Sequence, residues 1–331
     1  MEEETVILRE DPTSTGSQAD SWLVSPVAGE AAWAASAEGP SAAVRVGRRL
    51  AEFWRRFRKN RLAVVGAFLV LAFLAVAVFA PVLAPHDPGR GNLRARLLPP
   101  AWMPGGDPRY FLGTDELGRD LLSRILYGSR ISLYVGLMVV LVATSIGTAA
   151  GLLSGYFGGH LDAVIQRLVD VLLAFPYLVL AVALMAVMGP GLTNLMLALL
   201  YKEWVYPARV VRAEVLAARS QEYVEAARAV GAGHGHILFR EILPNVLSSV
   251  LVVSTLRVAW IMLMEASLSF LGLGVQPPTP AWGSMVSAGR DYLFQAWWIS
   301  TFPGLAILLT VLGVNLLGEG LRDALDPRLK D

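Results

Sequence analysis

The sequence predicts an all-α integral membrane protein with six transmembrane helices and a disordered N-terminal tail. Of its 331 residues 55% are hydrophobic and only 17% are charged, and the mean hydropathy is +0.52. The apolar residues are also gathered in runs long enough to cross a bilayer. The net charge of +1 provides no field that would recruit nucleic acid, and the chain has no cysteine for a disulfide or a thiolate-bound metal.

Residues 1–43 form the first segment, which we interpret as a disordered cytoplasmic tail. They are rich in Ala, Ser, Gly and Glu, and they carry eight acidic residues against one base, Arg9. Such a composition cannot bury a hydrophobic core. The first long apolar run begins far from Met1 and is too long for the core of a signal peptide, so we expect no cleaved signal.

A basic amphipathic segment precedes the first predicted span. Eight bases lie in residues 45–61, directly before the uncharged apolar run 62–84. Because bases are concentrated on the cytoplasmic side of membrane spans, this order places the N-terminus in the cytoplasm. An apolar stripe on the basic segment predicts a helix that lies on the membrane surface, with its bases against anionic lipid headgroups.

Five further apolar runs are predicted to span the membrane, which places both termini on the same side. They are residues 131–153, 164–188, 192–206, 243–263 and 293–317. Apart from the tail, the cytoplasmic segments then hold sixteen bases and the external segments eight, in the sense of the positive-inside rule. The predicted organisation is a tail (1–43), a segment with the first span and the start of the external segment (44–100), an external interfacial helix segment (101–130), a five-helix transmembrane domain with a loop at 220–242 (131–320) and a cytoplasmic C-terminal segment (321–331).

The stretch TDELGRDLLSRILYG predicts the interfacial helix before the second span. Thr114 is a candidate N-cap, and Asp115 with Arg119 and Asp120 with Arg124 are candidate ion pairs at i, i+4. The opposite face is apolar. We expect the two arginines to be paired or to face headgroups rather than to bind substrate.

The loop EYVEAARAVGAGHGHILFREILPN, residues 222–245, is the most polar stretch between two predicted spans. On a helix its apolar and charged positions separate into two faces: Tyr223, Ala226, Ala227 and Val230 against Glu222, Glu225 and Arg228. Gly231 is predicted to end this helix in the left-handed conformation. Two interpretations are open from the pattern alone: a solvated loop without a partner, or a helix whose small alanines let another surface approach.

Several motifs resemble one family. The pattern E-A-A, three residues, G, ten residues and I-L-P resembles the loop by which permease subunits of bacterial ABC importers engage their ATPase subunits. The stretches FLGTDELGRDLLSRILYGSRISL, SFLGLGVQPPTPAWG and LRDALDPRLK are similar to hallmarks of the permeases of the dipeptide, oligopeptide and nickel importers. Residues 55–88 resemble the extra N-terminal region of the C-type partner, one of the two permease types in these systems.

The resemblance implies the ABC importer type I permease fold and a coupling helix that docks in a groove of a separate ATPase. The implied coupling residues are Glu222, Tyr223, Glu225, Ala226, Ala227 and Gly231. It also implies a second homologous permease subunit, one or two ATPase subunits, an extracytoplasmic substrate-binding protein and a place in the bacterial inner membrane. ATP-Mg is expected in the ATPase, because this chain contains no P-loop motif, and we expect no cofactor of its own. The implied substrates are di- or oligopeptides, with nickel chelates left open.

Four charged residues lie within or just beyond the predicted spans: Arg167, Asp170, Arg257 and Glu265. Charges at this depth are costly, so they should face the bundle interior or each other. We expect Arg167 and Asp170, one turn apart, to form an ion pair. Arg257 and Glu265 are candidate pathway residues that would meet a peptide terminus.

Two other classes of function are disfavoured. An ion-coupled secondary transporter, the main alternative, would show an inverted repeat with interrupted helices and midplane acids, and the sequence has no such internal symmetry. An intramembrane enzyme would need a nucleophile and a base within the spans, yet all four histidines lie outside them and no G-x-S-x-G motif occurs. His234 and His236 are better read as solvated loop residues than as a metal site. We therefore expect neither a catalytic residue nor a metal site.

Overall fold

The computed structural model describes residue 51 and residues 53–325. The chain divides into two units, Met1–Glu52 and Phe53–Asp331, and every helix below belongs to the second. The predicted tail, the first bases of the basic segment and the end of the C-terminal segment lie outside the described residues. The proposals made for them therefore stay predictions.

The described part of the chain is helical and contains no strand, which confirms the all-α class. Residues 53–59 are helical. The helices that follow are α1 (Arg61–Leu83), α2 (Leu121–Phe157), α3 (Gly159–Ala174), α4 (Tyr177–Met188), α5 (Leu192–Glu203), α6 (Val205–Ala218), α7 (Glu222–Ala229), α8 (Leu243–Phe270), α9 (Trp282–Arg290) and α10 (Trp298–Leu325). Further turns are a 3-10 helix at Leu93–Ala95, a helical turn at His234–His236 and a π-helix at Ile237–Ile242. The last two run directly into α8.

Four of the described helices are long and apolar enough to cross a membrane: α1, α2, α10 and the continuous helix His234–Phe270 that contains α8. The predicted third span is broken into α3 and α4, which are bent by 89°, and the number of spans rises to five if this bent pair is counted as one. The predicted fourth span, residues 192–206, continues from α5 into α6 but carries Lys202 and Glu203. The predicted count of six thus stays a prediction, and the last span begins at Trp298 rather than near residue 293.

The bend in the third span lies at Phe175 and Pro176. Proline has no N–H to continue the hydrogen-bond ladder and restricts the residue before it, so the helix ends there. The carbonyl of Phe175 accepts a hydrogen bond from Nζ of Lys202, and the Tyr177 hydroxyl donates to the carbonyl of Leu199 at 2.7 Å. The polar groups at the break are therefore satisfied by α5.

The helices α2 and α6 approach each other closely through small residues. Gly147, Gly151 and Gly155 recur at every fourth position of α2 and face α6. A methyl group added to Gly151 would lie 2.6 Å from the carbonyl oxygen of Ala208, and one on Gly155 would lie 2.8 Å from Cβ of Val215. Small residues at this spacing let two helix backbones pack closely within a membrane. Larger side chains would therefore push α6, and the loop that follows it, away from α2.

Residues 84–120 are predicted to be external and are called the external segment below; here the predicted interfacial helix is wrong. Helix α2 begins only at Leu121, with Asp120 as its N-cap accepting from the backbone N–H of Ser123 at 3.0 Å. The Asp115 carboxylate accepts from the backbone N–H groups of both Leu117 and Arg119 at 2.9 Å, and Gly118 has a φ of +71°. Local side-chain bonds of this kind compete with helix formation, so the chain turns instead.

Of the two ion pairs predicted in the external segment, one is confirmed and the other is wrong. Asp115 does pair with Arg119, at 2.6 Å between Oδ2 and Nε. Arg124 does not pair with Asp120, because Asp120 caps α2; its Nε instead lies 3.3 Å from Oδ2 of Asp115. Thr114 caps no helix, since its hydroxyl donates to the carbonyl of Ala95 at 2.5 Å and accepts from the N–H of Leu98 at 2.9 Å. The side chains of all four residues, Thr114, Asp115, Arg119 and Arg124, are buried, so an internal polar network stabilises the segment.

Candidate functional site

Helix α7 is anchored to the rest of the protein through one side. Val224 is fully buried, and it belongs to an apolar cluster with Val215 of α6 and with Ile237 and Ile242 of the returning chain. The other residues of α7 are exposed apart from Ala227, which is half-buried. One buried valine thus holds an eight-residue helix against the ends of two longer ones.

The residues predicted to dock lie mostly on the open side of α7. Glu222, Tyr223, Glu225 and Ala226 are exposed, and Val230, which follows the helix, is 83% exposed. Apolar side chains left open in this way, next to carboxylates, are typical of a surface that a partner covers. The structure therefore brings five of the six predicted coupling residues together on one short helix, and Gly231 follows it after Val230.

Gly231 ends α7 in the way predicted. Its φ is +81°, in the left-handed region, and its N–H donates to the carbonyl of Arg228 at 2.9 Å. The N–H of Ala232 donates back to the carbonyl of Ala227 at 3.0 Å. These bonds satisfy carbonyls that the end of a helix leaves free, so the turn is defined by the backbone.

Two contacts that sequence reasoning missed tie the loop to α2. The Arg228 guanidinium lies 5.7 Å from the centre of the Tyr156 ring, and the Tyr156 hydroxyl lies 2.9 Å from Nδ1 of His234. Tyr156 is near the C-terminal end of α2, so it touches both ends of the loop. The π-helix Ile237–Ile242 then joins the turn to α8 without a break. Movement of α7 would accordingly be passed to α8 as well as to α2.

Arg257 forms a bidentate ion pair with Glu203. Its Nε and Nη2 donate to the two carboxylate oxygens of Glu203 at 2.5 and 2.6 Å. Glu203 ends α5, and its side chain is 1% exposed, whereas that of Arg257 is 19% exposed. Sequence reasoning named Arg257 and missed Glu203, because the partners lie 54 positions apart.

Arg257 also lines a cavity of about 290 Å³ between α6, α8 and α10. Its guanidinium lies 4.9 Å from the centre of the Tyr206 ring and 5.4 Å from that of Trp260. Asn315 contributes an amide from α10, and the remaining lining is aliphatic. The arrangement is a single cation between two aromatic rings in an otherwise apolar cavity.

Glu265, the other candidate pathway residue, is not brought together with Arg257. It is fully buried, and its carboxylate accepts from the hydroxyls of Ser132 at 2.9 Å and Ser269 at 2.8 Å. Ser132 belongs to α2, so Glu265 lies in the contact between α2 and α8. It is not among the residues that line the cavity around Arg257.

The predicted ion pair between Arg167 and Asp170 is wrong. Both side chains are exposed on α3, and neither takes part in a salt bridge within the described residues. Asp162 supplies the ion pair of this helix instead, with Arg212 of α6 donating to its carboxylate from Nε and Nη2 at 2.7 Å. The ion pair of α3 therefore joins this helix to α6 and does not link two residues within α3.

The fold and these contacts define a polytopic helical membrane protein with a charged pair between its helices and a short exposed helix between two of them. The chain belongs to the family described as binding-protein-dependent transport system inner membrane component, whose model matches residues 147–331. A second model, the N-terminal TM domain of oligopeptide transport permease C, matches residues 49–100. The resemblance drawn from the sequence motifs is confirmed.

Named relatives cover most of the chain. The dipeptide transport system permease protein DppC of Escherichia coli (strain K12) is 51% identical over 281 residues, which is 85% of this chain and 94% of the relative. The di/tripeptide transport system permease protein DppC of Pseudomonas aeruginosa (strain UCBPP-PA14) is 46% identical over 282 residues, 85% of this chain and 93% of the relative. A solved structure of the MetNI methionine ABC transporter in inward-facing conformations matches 62% of this chain and 98% of its own, with 17% identity and a TM-score of 0.48.

Proposed function

We propose that this chain is a permease subunit of an ATP-driven importer of dipeptides and oligopeptides. Relatives at 46% and 51% identity carry di/tripeptide and dipeptide transport in their names. The observation that carries the proposal is α7, which is held by one buried valine and presents Glu222, Tyr223, Glu225 and Ala226 outward. An ion-coupled transporter has no use for such a helix.

Coupling to the ATPase runs through α7 in this proposal. The exposed side chains of Glu222, Tyr223, Glu225 and Ala226 enter a groove of a separate ATPase subunit, and Gly231 sets the angle at which the helix is presented. When ATP draws two ATPase subunits together, α7 moves with them. The continuous helix His234–Phe270 then carries that movement into the membrane.

The proposal includes the partners of a complete importer. A second homologous permease supplies the other half of the path, one or two ATPase subunits bind ATP-Mg, and a soluble binding protein delivers the peptide on the external side. The chain itself hydrolyses nothing and binds no cofactor. It is surrounded by lipid in the bacterial inner membrane, with both termini in the cytoplasm.

Uptake by the reconstituted complex tests this function. The chain is assembled with its second permease, ATPases and binding protein in proteoliposomes, and entry of radiolabelled dialanine is measured. We expect entry to require ATP on the ATPase side and to survive ionophores that collapse the proton and sodium gradients. Entry that does not depend on ATP and stops when these ionophores are added would replace this proposal by the ion-coupled alternative.

A further inference from the structure

The ion pair between Glu203 and Arg257 has no part in the coupling described above. Arg257 lies at the middle of α8, with 14 positions back to Leu243 and 13 forward to Phe270. Glu203 lies at the junction of α5 and α6, close to the middle of the combined helix. Since helices rise evenly along their axis, both residues lie well away from the helix ends, inside the bundle.

A cation inside the helix bundle of a membrane protein has few stable surroundings. Intramembrane charges face protein or a water-filled cavity rather than lipid, because hydrocarbon solvates them poorly. Arg257 is 19% exposed, and the rings that flank it are more open: Tyr206 is 50% exposed and Trp260 39%. The face that these three side chains form is therefore one that the second permease or the transport path covers.

The hydrogen bonds leave one side of the guanidinium available. Nε and Nη2 donate to Glu203, while Nη1 has no acceptor within the described residues. A guanidinium has five N–H groups, so Arg257 can donate to Glu203 along one edge and to a second carboxylate along the other. Glu203 neutralises the arginine, which keeps the binding of a passing anion weak enough for release.

The surrounding cavity suits a small peptide. Its volume of about 290 Å³ is at the lower end for ligand sites, which range from roughly 300 to 1,000 Å³. The faces of Tyr206 and Trp260 would contact an ammonium group or an apolar side chain, and Asn315 would meet a peptide amide. One cation, two aromatic rings and one amide together match a short zwitterionic peptide.

We infer that Arg257 is the residue that binds the terminal carboxylate of the transported peptide inside the bundle, with Tyr206 and Trp260 against the rest of the ligand. Glu203 is a positioning residue that orients the guanidinium. This inference rests on the proposed function, because the ligand is the peptide that the importer carries. The competing explanation is a purely structural tie between α5 and α8.

Arg257→Lys tests the inference, since it keeps the charge and removes the planar fork. The probe is dialanine, offered to the reconstituted complex with saturating binding protein. We expect the maximal rate of uptake to fall by about tenfold or more, because an ammonium group has no second edge with which to donate to a peptide carboxylate while it holds Glu203. We expect ATPase stimulation by the binding protein to persist.

The matched control is Arg212→Lys. The pair of Arg212 with Asp162 has the same bidentate geometry, joins two helices in the same way and lies outside the cavity. We expect its uptake to stay within about twofold of the unchanged chain, as for a partly exposed ion pair. Equal losses in both variants, or no loss in Arg257→Lys, would overturn the inference.

A labelling experiment separates binding from structure. Val253 lines the cavity one turn from Arg257, and the cysteine-free chain allows Val253→Cys to be labelled alone. With the binding protein and a non-hydrolysable ATP analogue present, we expect dialanine to slow labelling in the Val253→Cys chain and not in the chain that also carries Arg257→Lys. Equal protection in both chains would assign the ion pair a structural role.

The outcomes also distinguish this inference from the proposed function. If uptake by the unchanged complex is ATP-dependent while Arg257→Lys transports normally, only the inference fails. If the unchanged complex takes up no dialanine, or takes it up without ATP, the proposed function fails first.

Discussion

The external segment and the loop around α7 treat their charged side chains in opposite ways. In the external segment Asp115, Arg119 and Arg124 are buried against one another, and every bond they make is internal. Around α7 the carboxylates of Glu222 and Glu225 are exposed and have no salt bridge within the described residues. A buried network stabilises one conformation, whereas exposed charges beside exposed apolar side chains are typical of a surface that binds a partner. The first region is thus a fixed structure, and the second is the surface that we propose docks to the ATPase.

Breaking the external network should have the largest effect on stability. Asp115→Ala removes the acceptor shared by Arg119 and Arg124. Arg119 keeps its ion pair with Glu116, but Arg124 is left buried with only the carbonyl of Pro88, so we expect a loss of about 3 kcal/mol. The melting temperature of the purified protein in detergent measures it. Asp107→Ala is the control, because the side chain of its partner Arg109 is 76% exposed, and we expect no change in melting there. If Asp115→Ala had the same melting temperature as the unchanged chain, the buried network would not stabilise the segment as described.

Substitution of Val224, which anchors α7, should have the second-largest effect on stability. Val224→Asn places an amide without partners in an apolar cluster, so we expect a loss of roughly 2–3 kcal/mol, confined to the loop. Proteolysis of the loop, followed by mass spectrometry, should show faster cleavage between residues 219 and 235. Val230→Asn is the matched control, since Val230 is 83% exposed and the same change costs nothing there. Equal cleavage in the two variants would mean that Val224 is no anchor.

The turn after α7 should have a smaller effect. Gly231→Ala meets no steric clash but must keep a φ of +81°, so we expect a cost of about 1 kcal/mol. Gly235→Ala is the control, because Gly235 also lies in open space and has no positive φ. We expect stimulated ATPase activity to fall in the first variant and not in the second. The reverse order would contradict the role given to Gly231.

A substitution on the open face of α7 should have the smallest effect on stability but should abolish coupling to the ATPase. Ala226→Trp lies on an exposed position, so we expect a stability change within about 0.5 kcal/mol. The bulky ring should nevertheless prevent docking and abolish ATP-dependent dialanine uptake. Leu93→Trp, on an exposed site of the external segment, should retain uptake. Normal uptake in Ala226→Trp would remove α7 from the coupling surface.

The contrast between the two regions also explains what sequence reasoning could and could not predict. The end of α7 was predictable because its signal, a glycine after charged and small residues, is local. The interfacial helix was wrong because Asp115 binds the backbone of its own turn, which the same i, i+4 spacing conceals. Glu203 was missed because its partner is 54 positions away, and pairing between helices leaves no periodic trace. The Gly147, Gly151 and Gly155 repeat marks the α2 to α6 contact in the structure, and sequence reasoning did not use it.

Crosslinking at α7 tests the central claim most directly. The chain has no cysteine, so Ala226→Cys introduces a single thiol into it, and a second thiol is placed in the groove of the candidate ATPase. In the assembled complex we expect a crosslink whose yield changes when ATP is added, and none from Leu93→Cys. A folded complex in which neither Ala226→Cys nor Glu222→Cys crosslinks to the ATPase, with or without nucleotide, would contradict the claim that α7 transmits the work of ATP to the membrane.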